Sequence, residues 1–252
     1  MPRLDNKVAL VTGAGAGIGA ASAAAFASAG ASVVVADLDA DAASATCEKI
    51  RADGGTASFV QLDVSDATAV RALVDHAVTR FGALHFAHNN AGILGPSCKL
   101  VDYDEDEWRR TLDVNLTAVF LGMKYEIPAI LGSGGGAIVN TASYSGLVAV
   151  PFLAGYVAAK HGVVGLTKAA AVEYGKKGVR VNAVCPGTVA TRMNLERAQV
   201  SPEIEKAMTD VTPMKRLAEP AEIAAAVVWL CSEEASFVNG HALPVDGGAV
   251  AQ

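Results

Sequence analysis

Several common routes to function are missing from this 252-residue sequence. Its four cysteines, Cys47, Cys98, Cys185 and Cys231, are scattered without paired spacing, so neither a zinc site nor a disulfide framework is indicated. Its five histidines form no HxxxH or HExxH pattern, and no metal is expected. There is no run of basic residues, and a net charge of −6 with a pI near 5.4 argues against an electrostatic nucleic-acid binder. No uninterrupted apolar run is long enough to span a bilayer, so no membrane partner is expected. The stretch from Met1 to Lys7 lacks the apolar segment and cleavage site of a signal peptide. A reduced cytoplasm is the simplest expected setting.

What the chain does have is small and apolar. Hydrophobic residues make up 52% of it, with abundant Ala and 25 Gly, enough for one large core with helices close against a sheet. Short β-branched runs alternate with longer helical stretches, the pattern of βαβ units and a parallel sheet. Strands are expected at 7–12, 32–37, 57–62, 84–88, 137–141, 179–184 and 241–245. Helices are expected near 17–30, 40–52, 66–81, 104–131, 154–175 and 220–231. Gly30 suits a C-cap, Ser65 or Asp66 an N-cap, and Pro220 a first helical turn. No repeat or low-complexity linker divides the chain. The least regular stretch, about 188–215, reads either as a substrate-covering segment or as a surface loop.

Thr12-Gly13-Ala14-Gly15-Ala16-Gly17-Ile18-Gly19 follows the first strand and opens the first helix. Gly13, Gly17 and Gly19 allow a tight turn and close approach to a pyrophosphate, whose charge meets the helix N-terminus. Gly15 fits the G-x-G-x-x-G spacing poorly; G-x-x-x-G-x-G fits better. Asp37 ends the second strand, where a carboxylate can accept hydrogen bonds from an adenosine ribose. A 2′-phosphate about 4 Å away would be repelled by on the order of 4 kcal/mol per unit charge. No Arg or Lys lies in the glycine turn or beside Asp37, so the expected cofactor is NAD and not NADP.

Tyr156 and Lys160 are four residues apart, which on a helix stacks both side chains on one face. A phenol beside an ammonium is a proton-transfer couple, because positive charge favours the phenolate. A free tyrosine titrates near pH 10, so work near pH 7 requires about 4 kcal/mol of differential stabilisation. One lysine supplies part of that, and a second cation would supply the rest. Any helix can also carry this spacing by chance.

The motifs Thr12–Gly19, Asp63-Val64, Asn89-Asn90-Ala91-Gly92, Asn115, Ser143, Tyr156-x-x-x-Lys160, Pro186-Gly187 and Val245-Asp246-Gly247-Gly248 occur in a fixed order. In that order the chain resembles the short-chain dehydrogenase/reductase family over essentially its whole length. The resemblance implies an α/β fold: one Rossmann-like NAD(P)-binding domain over 1–252, a seven-stranded parallel sheet ordered 3-2-1-4-5-6-7, and helices on both faces.

The same resemblance implies that Gly13, Gly17, Ile18 and Gly19 hold the dinucleotide. Asp63 would hold the adenine amino group and the Val64 amide its ring nitrogen. Asn89, Ala91 and Gly92 would line the end of the fourth strand near the adenosine ribose. Pro186, Gly187, Val189 and Thr191 would grip the nicotinamide end; Thr188 departs from the family's common Ile or Leu. For catalysis it implies that Tyr156 takes a proton from a substrate hydroxyl as hydride passes to NAD⁺. Lys160 would lower the tyrosine pKa and bind the nicotinamide ribose, and the nicotinamide ring would be the second cation. Ser143 would hold the substrate oxygen, and Asn115 would bend its helix and hold a water against the lysine.

A largely apolar pocket is expected among Ile93, Leu94, Tyr144, Leu147, Val150, Pro151, Phe152, Met193 and Leu195. It favours a neutral secondary alcohol or ketone, hydrophobic or cyclic, although Arg192 and Arg197 could reach an anion. Two alternatives stand beside this reading: a 3-oxoacyl-[acyl-carrier-protein] reductase with the same catalytic residues, and a non-catalytic nucleotide-binding scaffold. The resemblance also implies a homotetramer, joined by the helices near 104–131 and 154–175 and by the C-terminal strand.

Overall fold

The valine-rich runs pair as parallel strands in a computed structural model that describes residues 2–198, 206 and 208–251, side chains at 196–198 excepted. In chain order the elements are β1 (Val8–Thr12), α1 (Gly17–Ser28), β2 (Ser32–Asp37), α2 (Ala40–Ala52), β3 (Thr56–Gln61), α3 (Ala67–Phe81) and β4 (Phe86–Asn89). There follow α4 (Glu105–Leu112), α5 (Ala118–Gly132), β5 (Gly136–Thr141), α6 (Ala154–Tyr174), β6 (Val179–Pro186), α7 (Arg192–Ala198), α8 (Pro220–Cys231) and β7 (Ala242–Val245). The seven strands form one sheet in the order β3-β2-β1-β4-β5-β6-β7, parallel throughout. This is the single-domain Rossmann-like α/β fold.

Both faces of the sheet are covered, which is why its strands read as continuous apolar runs. In β2, Val34 enters the core that holds Leu73, Ile130 and Val163, on the side of α3, α5 and α6. Its neighbours Val33 and Val35 enter the opposite core with Phe26, Ile50 and Ile223, on the side of α1, α2 and α8. Burying each such side chain contributes about 1.5–3 kcal/mol. The helical stretch Glu105–Gly132 has the length and composition to cross a membrane, but half of its apolar window is buried inside the fold. Leu121, Ile127 and Ile130 pack into the core, as expected of a core helix.

The helix expected at 104–131 is not regular. α4 and α5 are joined by a π-helical turn, Asp113–Thr117, in which the Ala118 amide bonds the Asp113 carbonyl. The fourth strand begins at Phe86, two residues later than the apolar pattern indicated; the Leu84 amide bonds the Ser133 hydroxyl (3.0 Å), and the His85 amide is the first to bond β1, at the Val8 carbonyl (3.0 Å).

Capping separates α1 from other helices that follow strands. Asp39 caps α2 and Asp66 caps α3, each accepting two backbone amides. α1 starts at Ala16 with no side-chain cap and no acidic residue in its first turn. Its N-terminal amides therefore remain open to an anion. They lie beside the switch point of the sheet, where the chain runs outward through β2 and β3 and then returns to the other side of β1 as β4.

Candidate active site

A cleft of about 450 Å³ opens at the carboxyl ends of the strands, lined from Asp37 and Asp63 at one end to Ser143, Tyr156, Pro186 and Met193 at the other. Its floor at the switch point is the glycine turn. Gly13 has φ +62°, and a methyl there would lie 2.8 Å from the Ala91 Cα. A methyl at Gly19 would collide with the Gly13 carbonyl oxygen. Gly19 thus packs the turn from below and is not on the cleft wall, whereas Gly13, Gly17 and Ile18 are.

Gly15, which the motif spacing could not explain, has a structural task. Its amide donates to Asp37 Oδ2 at 2.8 Å, while the Asp39 amide donates to Oδ1 at 3.0 Å. Each carboxylate oxygen keeps acceptor capacity for a further donor. Asp63 and Val64 line the same end. The Ser65 hydroxyl and amide, both bonded to Asp63 Oδ1, hold the Asp63 carboxyl below its ordinary range, and Arg110 adds a smaller effect. Arg110 also lines the cleft. No motif includes it: it arrives on α4, five residues before Asn115, and nothing in its sequence surroundings gives its direction.

Asn89 departs from its expected place. It is buried, its Nδ2 donates to Glu126 Oε2 (3.0 Å) and Asn140 Oδ1 (3.1 Å), and it is absent from the cleft wall. Its neighbour Asn90 takes that position with Ala91 and Gly92. The Asn90 amide donates to Thr12 Oγ1 at 3.0 Å, and its Nδ2 donates to the Thr12 and Gly13 carbonyls at 3.1 and 3.2 Å. Adjacent residues at a strand end project to opposite sides, so a run of two asparagines does not reveal which one reaches the cleft.

Tyr156 and Lys160 lie on α6, with Lys160 Nζ 5.5 Å from the centre of the tyrosine ring. Lys160 is buried, and its Nζ donates to the Thr141 carbonyl at 2.8 Å. Burial lowers its pKa to about 8, against a small opposing effect from Cys185, so the cation persists at neutral pH. Asn115 sits within the π-helical turn. It exchanges hydrogen bonds with Ile93, Nδ2 to O at 2.8 Å and N to Oδ1 at 3.2 Å, and also donates to the Thr111 carbonyl. Asn115 and Lys160 converge on Gly92, where a methyl would be 2.7 Å from Asn115 Oδ1 and 3.6 Å from Lys160 Nζ. Ser143 Oγ accepts the Ser145 amide at 3.1 Å, leaving its own proton free to be donated.

The far wall is carried by Pro186, Gly187, Val189 and Thr191. Val189 bridges to Ala218, and the Thr191 amide bonds the Val189 carbonyl at 2.8 Å. Thr191 faces the glycine turn: a methyl on Gly17 would touch its Cγ2 at 3.1 Å.

The expected substrate pocket is only partly present. Ile93 and Met193 line the cleft, but Leu94, Tyr144, Leu147, Val150, Pro151, Phe152 and Leu195 do not. Phe152 is 55% exposed at φ +65°, and its carbonyl accepts the Cys98 amide at 3.0 Å. An apolar turn next to a motif can face outward, and hydrophobicity alone does not give its direction. Arg192 also lines the cleft. The Arg197 side chain, residues 199–205 and residue 207, which belong to the expected covering segment, lie outside the described residues. Among the described residues no cluster of potential metal ligands occurs.

The strand–glycine turn–helix, the uncapped α1 and the Tyr–Lys pair in one cleft define a dinucleotide-binding oxidoreductase. A family model described as Enoyl-(Acyl carrier protein) reductase matches residues 13–250. The chain is 49% identical over 245 residues to the cyclohexanol dehydrogenase of an Acinetobacter species, covering 97% of this chain and 95% of that protein. It is 45% identical over 204 residues to a 2,5-dichloro-2,5-cyclohexadiene-1,4-diol dehydrogenase of Sphingobium indicum, covering 80% and 81% respectively. Among solved structures, carveol dehydrogenase from Mycobacterium avium in complex with NAD superposes with a TM-score of 0.95 at 31% identity, over 100% of both chains. The protein belongs to the short-chain dehydrogenase/reductase family. It is an oxidoreductase acting on CH–OH groups with a nicotinamide cofactor.

Proposed function

We propose that the protein is an NAD(H)-dependent dehydrogenase interconverting neutral, hydrophobic cyclic secondary alcohols and their ketones. The observation that carries this reading is one cleft with Asp37 at one end and Ser143, Tyr156 and Lys160 at the other. The glycine cradle, where a side chain at Gly17 would fill the gap to Thr191, fits a dinucleotide, and the Asp37 carboxylate disfavours a 2′-phosphate. The names of the relatives, dehydrogenases of six-membered-ring alcohols among them, support the cyclic substrate class.

When bound, NAD⁺ supplies the hydride acceptor. Gly13, Gly17 and Ile18, Asp37, Asp63 and Val64, and Ala91 and Gly92 would hold its adenosine and pyrophosphate. Pro186, Gly187, Val189 and Thr191 would hold its nicotinamide. Tyr156 accepts the substrate hydroxyl proton as general base. Lys160, with one proton committed to Thr141 and two still available, favours the phenolate and binds ribose hydroxyls. Ser143 donates to the substrate oxygen as charge develops on it. Asn115, beside Lys160 at Gly92, would support the proton path. Thr191, Arg192 and Met193, from the described part of the 188–215 segment, would cover the substrate.

The subunits assemble as a cytoplasmic homotetramer in this reading. Phe120 on α5 and Val172 on α6 expose apolar surface (46% and 84%) on the helices expected to pair.

The test is coenzyme reduction with cyclic secondary alcohols of graded size, run with NAD⁺ and NADP⁺, alongside an acetoacetyl thioester with NADH and NADPH. Turnover of cyclohexanol-like alcohols with NAD⁺ is expected. Equal or better efficiency with NADP⁺, or faster thioester reduction with NADPH, would sink the reading.

A further inference from the structure

We propose that His88, on β4 behind the cleft, is a positioning residue for the dinucleotide, holding the glycine turn in its binding conformation through Thr141 and Asn90. The inference rests on the reading of the cleft as a dinucleotide site.

The hydrogen bonds around His88 admit one consistent arrangement of protons. Asn90 Nδ2 lies 3.1 Å from the Thr12 carbonyl and 3.2 Å from the Gly13 carbonyl, both pure acceptors. The amide nitrogen must face them, so Oδ1 faces the other way. Thr141 Oγ1, 3.2 Å from that Oδ1, therefore donates to it. The proton entering the Thr141 oxygen has to come from His88 Nε2, 2.8 Å away. His88 is accordingly the Nε2–H tautomer, and its Nδ1 has no hydrogen-bond partner among the described residues. An unpaired buried polar group costs about 1–3 kcal/mol, which a valine or phenylalanine at this β4 position would avoid. Burial drives the His88 pKa down to about 3, so the ring stays neutral across the working range and this is no charge switch.

Each link ends at the cofactor side. Asn90 Nδ2 is wedged between the glycines: a methyl at Gly13 would lie 3.2 Å from it and one at Gly19 2.7 Å. Thr12 Oγ1 takes the amides of Asn90 (3.0 Å) and Ala91 (3.2 Å), tying β1 to β4 at the switch point. Thr141 is the junction. Its hydroxyl joins His88 to Asn90, and its carbonyl takes Lys160 Nζ. The Asn89–Glu126 pair next to it serves the opposite face and does not enter this chain.

The experiment uses the full chain, titrating NADH by fluorescence and measuring steady-state rates, with thermal melts to verify folding. His88→Phe fills the volume but removes the donor; His88→Gln returns an amide donor where Nε2 stood. Thr141→Val removes the hydroxyl and keeps the carbonyl. His88→Phe should weaken NADH binding by about 5- to 20-fold, the loss of one hydrogen bond, and raise the NAD⁺ KM in parallel while kcat changes less than about twofold. His88→Gln should bind within about twofold of wild type. Thr141→Val should weaken NADH binding to the same degree, and the double variant His88→Phe/Thr141→Val no further than either single one. Folded His88→Phe with wild-type affinity, a kcat loss in place of the KM change, or additive losses would overturn the proposal. If His88→Phe fails to fold, wild-type affinity in Thr141→Val overturns it by itself. Absence of NADH binding by the wild type would instead overturn the cofactor reading, and this proposal with it.

Discussion

The two ends of the cleft are made from different parts of the chain. At the Asp37 end the contacts are largely main chain: the Gly15 and Asp39 amides hold the carboxylate, and α1 presents uncapped amides beside the glycine turn. At the Tyr156 end the working atoms are side chains: a phenol, a buried ammonium and a hydroxyl, each oriented by a backbone partner or by its helix. Main-chain sites depend on the absence of side chains, so their signal is glycine. Side-chain sites depend on particular functional groups, so their signal is residue identity at a spacing. The first kind should tolerate little added volume but many changes of chemistry, and the second the reverse.

Four substitutions sharpen this contrast, from the largest effect to the smallest. Tyr156→Phe removes only an oxygen and should lower kcat by about 10²–10⁴-fold, the usual range for a general base, with NADH affinity nearly intact. Rates above a tenth of wild type in that variant would break the side-chain half of the comparison. Asp37→Asn removes one charge at the other end. It should narrow the NAD⁺ over NADP⁺ preference in kcat/KM by on the order of 10³-fold, since about 4 kcal/mol of repulsion is at stake, and leave kcat with NAD⁺ largely unchanged. An unaltered preference would mean that another group selects the coenzyme.

Gly13→Ala adds one methyl at φ +62°, against the Ala91 Cα. It should weaken NADH binding by about tenfold, read by fluorescence titration, through strain and lost approach instead of lost chemistry. The smallest effect lies off both ends, at Glu126. Burial raises this carboxyl from 4.5 to about 7, opposed by its Asn89 hydrogen bond. With the folded pKa above the unfolded one, its favourable contribution is complete below about pH 4.5 and is lost as pH rises through about 7. Glu126→Gln should therefore flatten the fall in Tm across that window and melt higher by up to roughly 10 °C above pH 7. A steeper fall in the variant would contradict the sign.

Much of this was legible in the residues. β1, β2 and β6 read directly from their β-branched runs because the sheet is buried on both faces, and the family resemblance carried by the ordered motifs implied the strand order. Gly13, Gly17, Asp37, Ser143, Tyr156 and Lys160 all reach one cleft. The misses share a cause. Asn89 against Asn90, the outward-facing turn at 148–152, and Arg110 arriving on α4 are all matters of direction, and a motif gives residue types without directions. The interruption of the 104–131 helix was equally invisible, since a π-helical turn has no distinctive composition.

By itself, the sequence determined the family, through the resemblance its ordered motifs carry, and the parallel α/β architecture and the chemistry available, which follow from hydrophobic period, glycine spacing and residue type. Only the tertiary structure decided which donors share an acceptor. It joined Gly15 to Asp37, set Asn115 and Lys160 around Gly92, and selected one tautomer of His88 by linking it to a threonine 53 residues away. Those choices depend on the register of neighbouring strands, which brings β1, β4 and β5 to a common edge, and hydrogen bonds of such short range form only after that register is set.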